Sequence, residues 1–166
     1  DRVTAKDPEF GYAATREMLV AEGAVKEALR LHPPLFILLR AVQYDFEVLG
    51  HTIKKGAWIA VSPLVAQLDD AVFANASEYD PKRYLPPRSE DKRPFAYISF
   101  GGGRHKCMGN SFGILQVKTI IAKLLSMYEF ELYGDPVEGD FQGLVIGPKL
   151  PCRLRYKRRK PAAAAT

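Results

Sequence analysis

The sequence predicts a mixed α/β fold, mainly α-helical, and three observations predict it. Apolar residues recur at three- and four-residue intervals over Tyr12–Leu31 and again after Asn110, the repeat of a helix face turned to a core. Short apolar runs bounded by glycine and proline lie between and after these stretches and read as strands. The 166 residues amount to about one domain, and a chain 47% apolar, 11% aromatic and 26% charged has the material for a buried core.

The elements follow in order. Met18, Leu19, Ala21, Val25, Ala28 and Leu29 mark one helical face, so a single helix is expected over Tyr12–Leu31. Gly23 is its weak point, since glycine inside a helix costs about 1 kcal/mol relative to alanine. Pro33 and Pro34 end it, because proline fixes φ and pushes the residue before it toward extended geometry. Leu35–Leu39 then runs extended up to Arg40. Phe46–Val48 and Trp58–Val61 are expected to pair as a small antiparallel hairpin around Gly50 and Gly56. Asp69 and Asp70 suit the cap of a short helix through Phe73. Residues 75–94 hold Pro81, Pro86, Pro87 and Pro94 among polar neighbours and read as a meander. Residues 98–109 form a glycine-rich loop. Asn110 or Ser111 caps a long helix to about Met127, with Phe112, Leu115, Ile120, Leu124 and Leu125 expected on its buried side. Phe130–Tyr133, Leu144–Ile146 and Arg153–Tyr156 read as late strands. Pro161 and the alanines after it read as a tail or the start of a linker.

The net charge of +5 is uneven. Seven basic residues and no acid follow from Lys149 onward, which leaves 17 basic against 19 acidic residues before it. The run Lys157–Lys160 has no interleaved aromatics for base stacking, and no nucleic-acid module is recognisable, so nucleic acid is not expected as a partner. The longest uncharged stretch, Gly56–Leu68, has thirteen residues and contains Pro63, whereas a membrane span needs roughly 18 or more. Two cysteines, Cys107 and Cys152, are too few for a disulfide framework, which turns attention to a thiol with a special task.

That thiol lies in Phe100-Gly101-Gly102-Gly103-Arg104-His105-Lys106-Cys107-Met108-Gly109. Successive glycines let the backbone pass close to something flat or bulky and reach φ values closed to other residues. Cys107 sits just before a helix N-terminus, where free amide N–H groups and the helix dipole favour a thiolate, and Arg104, His105 and Lys106 add positive charge. A nucleophile, a redox sensor and a metal ligand all fit such a thiolate. One cysteine without a second nearby argues against zinc. A nucleophile needs a base, and the histidines are His32, His51 and His105. Axial ligation of haem iron needs no other protein ligand. The plain alternative is a glycine turn with Cys107 as a small hydrophobe.

This decapeptide resembles the haem-binding signature of the cytochrome P-450 monooxygenases, with Phe100, Gly103, His105, Cys107 and Gly109 at its fixed positions. Two further segments match in order. Glu27-Ala28-Leu29-Arg30 is similar to the family's Glu-x-x-Arg pair, whose charges lie one helical turn apart. Asp80-Pro81-Lys82-Arg83-Tyr84 is similar to the family's meander motif. The resemblance implies haem b as cofactor, Cys107 as the axial ligand of its iron, and Phe100 and Gly101 beside it. It also implies a structural cluster of Glu27, Arg30 and Arg83, with no catalytic residue of its own.

A narrower resemblance is to the sterol 14α-demethylases. It rests on Leu31–Arg40, on His105 two residues before the cysteine, and on the ending Leu154–Arg159. It implies that Arg40 and His105 pair with haem propionates, and that Leu35, Phe36, Ile37, Leu38 and Leu39 line the substrate cavity. Leu144, Val145 and Ile146 would form a second apolar wall. The implied reaction is three successive oxidations of one sterol methyl group with O2, the carbon leaving as formate. Electrons would come from a reductase or a ferredoxin, separate or fused downstream, docking near Arg104, Lys106, Lys118 and Lys123. The resemblance covers only the C-terminal third of the family's fold. Residues 1–160 are therefore expected to be a haem-binding portion, with residues 161–166 as tail; the oxygen-activating acid–alcohol pair of such proteins does not occur in the chain.

Overall fold

A glycine inside a helix and a proline in the meander explain each other in the fold. The computed structural model describes residues 11–143 and 145–159. Helices α1 (Tyr12–Glu17) and α2 (Leu19–Leu31) open it. The expected single helix is broken at Met18, whose ψ of 60° lies outside the helical range, and the break turns Met18 inward while Leu19 and Val20 stay exposed. Apolar spacing runs unbroken through this point and carries no sign of it. At Gly23 a Cβ would collide with the Pro81 carbonyl oxygen, so glycine there lets the 3-10 turn Pro81–Tyr84 lie directly on α2. The cost of glycine in a helix is offset by that close approach.

Strands β1 (Leu38–Ala41), β2 (Phe46–Val48), β3 (His51–Ile53) and β4 (Trp58–Val61) follow. The strands expected at 46–48 and 58–61 are present, but they do not pair with one another. Phe46–Val48 pairs with His51–Ile53 across a two-residue turn in which Leu49 and Gly50 have φ of 49° and 79°. Such a tight turn, with both central residues left-handed, matches the twist of a hairpin. Trp58–Val61 instead pairs antiparallel with Leu38–Ala41, placing Arg40 opposite Ile59. Of the expected extended run 35–39, only Leu38 and Leu39 join a strand.

Helix α3 (Pro63–Ala66) is capped by Ser62. Residues 70–73 form a turn rather than the expected helix. Asp69 Oδ1 accepts from the Ala71 N–H at 2.8 Å and Asp70 Oδ1 from the Ala76 N–H at 2.8 Å. These bonds fold the chain back so that Phe73 enters the core, where it is fully buried with Ala76 and Ala96 and flanked by Val72 and Tyr97.

Helix α4 (Asn110–Met127) begins one residue earlier than a side-chain cap would place it. Gly109 is the cap, without a side-chain bond, and Asn110 is the first helical residue. The side expected to be buried is also corrected. Phe112, Ile120, Leu124 and Leu125 are exposed, whereas Ile114 and Lys118 face inward against α2. Lys118 Nζ donates to Glu22 Oε2 at 2.9 Å. A helix apolar on several faces cannot announce which one packs, and an ion pair from α2 makes the choice.

The last elements are β5 (Tyr128–Leu132), β6 (Gly139–Asp140), β7 (Gly147–Pro148) and β8 (Leu154–Arg158), pairing β5 with β8 and β6 with β7. The strand expected at 144–146 is not found at Val145 and Ile146, which form a bend leading into β7; Leu144 lies outside the described residues. The tail Pro161–Thr166 lies outside them too. No described helix is long and apolar enough to cross a membrane.

Candidate functional site

The glycine-rich loop is a hairpin-like excursion hung from its own ends. The Cys107 N–H donates to the Phe100 carbonyl at 2.8 Å, and the Gly101 N–H to the Ile98 carbonyl at 2.8 Å. Gly101 has a φ of +73°, and a Cβ there would lie 3.2 Å from the His105 carbonyl oxygen. A short 3-10 turn, Gly103–His105, carries the chain around to Cys107. Cys107 and His105 are exposed, as is Met108, and α4 starts immediately behind them. Cys107 and Cys152 are both free thiols. Among the described residues no three His, Cys, Asp or Glu side chains gather as a metal site. What the loop offers is one uncovered sulfur backed by a helix N-terminus, which suits a metal already held by a macrocycle and wanting a single axial ligand.

Beneath the loop lies a buried charge cluster. Glu27 and Arg30, one turn apart on α2, meet Arg83 from the meander, and all three side chains are fully buried. Arg30 donates from Nε to Glu27 Oε2 at 2.8 Å and from Nη2 to Oε1 at 2.9 Å. Arg83 Nε donates to Oε1 at 2.9 Å, the Asp80 N–H to the same oxygen at 3.0 Å, and the Tyr84 hydroxyl to Oε2 at 2.8 Å. Burial pushes the Glu27 carboxyl up, but the bonds from Arg30, Asp80, Tyr84 and Arg83 outweigh it and hold the group below the ordinary carboxylate range. Arg83 reaches outward to Glu90 at 2.7 Å and to the Ala74 carbonyl at 2.9 Å. Both guanidiniums lie over the Phe73 ring, 5.0 Å from its centroid for Arg30 and 5.8 Å for Arg83. The cluster thus fastens helix, meander and core at one point.

Sequence reasoning missed three participants, Gln67, Ser99 and Tyr84. Gln67 is fully buried; its Nε2 donates to the Arg30 carbonyl at 3.2 Å, and its Oε1 accepts from the Ile98 N–H at 2.8 Å. The Ser99 hydroxyl lies 2.8 Å from the Leu29 carbonyl and 3.0 Å from Gln67 Oε1. The signal available was an amide inside the uncharged stretch 56–68, because a buried polar group has to find partners.

The two expected apolar walls are neighbours although more than a hundred residues separate them. The Ile146 N–H donates to the Pro34 carbonyl at 2.8 Å, and the Phe36 ring meets Phe141 edge-on at 6.0 Å. Leu35, Ile37 and Leu39 alternate outward and Val145 is exposed, while Phe36 and Leu38 are half-buried. Arg40 is half-exposed, and its Nη1 donates to the neighbouring Leu39 carbonyl at 2.8 Å. Among the described residues no hydrogen bond or ion pair joins it to His105 or Cys107. Of the four cations expected at a docking face, Arg104, Lys106 and Lys123 are exposed. Lys118 is not: it is buried and paired with Glu22, so it does not belong to that surface.

Residues 1–152 match the family model for cytochrome P450. The chain is 40% identical over 162 residues to the sterol 14alpha-demethylase of Mycolicibacterium vanbaalenii, covering 96% of this chain and 36% of that protein. It is 46% identical over 151 residues to the obtusifoliol 14-alpha demethylase of Sorghum bicolor, covering 87% and 31%. Against the human lanosterol 14-alpha demethylase the identity is 34% over 157 residues, covering 92% and 30%. The chain spans about a third of the length of these relatives. The solved structure of retinoic acid-bound cyanobacterial CYP120A1 aligns with a TM-score of 0.86 at 24% identity, over 95% of this chain and 37% of that one, and shares its fold. With its sequence matched over residues 1–152 and its fold reproduced, the chain belongs to the cytochrome P450 family.

Proposed function

We propose that the chain is the haem-thiolate portion of a sterol 14α-demethylase, and the observation that carries this is the uncovered Cys107 sulfur at the end of a glycine-hinged loop. Members of the family bind haem, and the several relatives named as 14α-demethylases support the sterol reading. Cys107 would ligate the iron as thiolate, with the amide groups at the start of α4 stabilising its charge. Phe100 and Gly101 would lie against the macrocycle, and Arg40 and His105 would face its propionates as cations opposite carboxylates. Leu35, Phe36, Ile37, Leu38 and Leu39, with Val145 and Ile146, would present an apolar wall that excludes water and orients a sterol. Bound haem supplies oxygen activation, which thiolate ligation favours by pushing electron density toward the iron. Glu27, Arg30 and Arg83 act by holding the scaffold. An acidic ferredoxin or reductase would find Arg104 and Lys106 exposed beside the loop.

The test uses the natural protein that carries this chain. Its ferrous–carbonyl complex should show the red-shifted Soret band of thiolate ligation. Cys107→Ala should abolish that band and Cys152→Ala should leave it intact. A 14α-methyl sterol should shift the iron spin state and be turned over. Persistence of the band in Cys107→Ala overturns the ligand assignment. A normal band with no spin shift or turnover for several 14α-methyl sterols overturns the substrate assignment and points to another substrate class.

A further inference from the structure

The Cys107 loop needs something to hold its stem. Its closing bonds are internal, from the Cys107 N–H to Phe100 and from the Gly101 N–H to Ile98, so by themselves they fix its shape and not its place on the scaffold. The stem, Ile98 and Ser99, meets the scaffold at Gln67, which takes both residues, and at the Leu29 carbonyl of α2, which the Ser99 hydroxyl approaches at 2.8 Å. The Gln67 side chain takes the Ile98 N–H on Oε1 at 2.8 Å and the Ser99 hydroxyl at 3.0 Å, while its Nε2 reaches the Arg30 carbonyl at 3.2 Å. Its own carbonyl accepts from Arg30 Nη1 at 2.5 Å. Gln67 is therefore clamped by the arginine that Glu27 holds, and passes that position on to the loop.

We propose that Gln67 is the positioning residue of the Cys107 loop, coupling the buried Glu27–Arg30–Arg83 cluster to the thiol; its bearing on haem rests on the haem-thiolate reading. Replacing the amide with an apolar side chain leaves the Ile98 N–H and the Arg30 carbonyl buried without partners. Unmade buried hydrogen bonds are more costly than absent ones, so the stem loosens at Ile98 toward water, with the Ser99–Leu29 contact remaining. Cys107, hung from Phe100 two residues beyond Ile98, moves with it.

The natural protein is compared with Gln67→Leu, with the milder Gln67→Asn, and with Tyr84→Phe. The last removes a bond to Glu27 in the same cluster without touching the stem. Amide hydrogen exchange at Ile98 and Cys107 should accelerate about tenfold or more in Gln67→Leu, and in the same pattern but less in Gln67→Asn, with no change in Tyr84→Phe. The fraction of the ferrous–carbonyl complex with the thiolate Soret band should fall in the two Gln67 variants alone. Unchanged exchange at Cys107, or equal acceleration in Tyr84→Phe, overturns the proposal. Should the unsubstituted protein lack the thiolate band, the haem reading fails, and the exchange pattern alone decides whether Gln67 positions the loop.

Discussion

Glu27→Gln is the sharpest test of what holds this scaffold together. The carboxylate is fully buried and accepts five hydrogen bonds, from Arg30 twice and from Arg83, Asp80 and Tyr84 once each. An amide of the same shape keeps one acceptor oxygen, best placed at the Oε1 corner where three donors converge. Its NH2 then faces Arg30 Nε and the Tyr84 hydroxyl. The hydroxyl can rotate to accept, but the guanidinium N–H cannot. Arg83 keeps Glu90 at 2.7 Å, whereas Arg30 is left with the amide oxygen and the carbonyls of Gln67 and Glu78 and no carboxylate. Removing one partner of a buried ion pair costs about 3–5 kcal/mol, a large part of the 5–15 kcal/mol typical of a domain. Glu90→Gln should cost only about 1–2 kcal/mol, because Glu90 is partly exposed and Arg83 retains Glu27. Equilibrium urea unfolding of the natural protein, with an unchanged slope, measures both. A loss below about 1 kcal/mol for Glu27→Gln, or one equal to that of Glu90→Gln, would refute the reasoning.

Gly101→Ala should destabilise the loop more than Gly103→Ala. Both have positive φ, costing roughly 1–2 kcal/mol for an L side chain, but only at Gly101 would the new Cβ press a carbonyl, at 3.2 Å. Amide exchange at Cys107 ranks the two, and equal protection in both variants would contradict the close contact. Acid should weaken the fold through three carboxyls held below their ordinary range. Glu27 is held there as described. Burial raises Glu22 but its bonds to Lys118 and Lys26 outweigh that, and Asp80 is held down by Arg88. A depressed folded value stabilises the protein fully above the unfolded carboxylate range, near pH 4, and that stability is lost as pH falls through the folded values. The urea midpoint should therefore drop on acidification below about pH 4, and Glu27→Gln should flatten the drop; a midpoint rising with acid would be incompatible with these pairs.

Whatever depends on neighbours along the chain was legible before the fold was known. Helical spacing after Asn110, the proline stop after Leu31, the strand at Trp58–Val61 and the one-turn separation of Glu27 and Arg30 are local properties, and local physics suffices to read them. The cysteine motif was legible as well, because glycines, cations and a following helix must be consecutive to act together. Its sense as haem chemistry came from resemblance, since the residues alone also admit a nucleophile, a sensor or a buried thiol.

Choices among distant partners became visible with the fold. Trp58–Val61 could close a hairpin with Phe46–Val48 or join Leu38–Ala41, and strand propensity cannot tell these apart. A helix as apolar as α4 could turn several faces inward, and the Glu22–Lys118 pair selected one. Tyr84 and Gln67 gave only the weak signal that polar groups, once buried, need partners. Which partners they found depended on the meander folding back over α2 and on Gly23 letting Pro81 come close. Hydrogen bonds between residues dozens of positions apart exist only once loop-closure entropy has been overcome by the whole core, so no short window of sequence contains them.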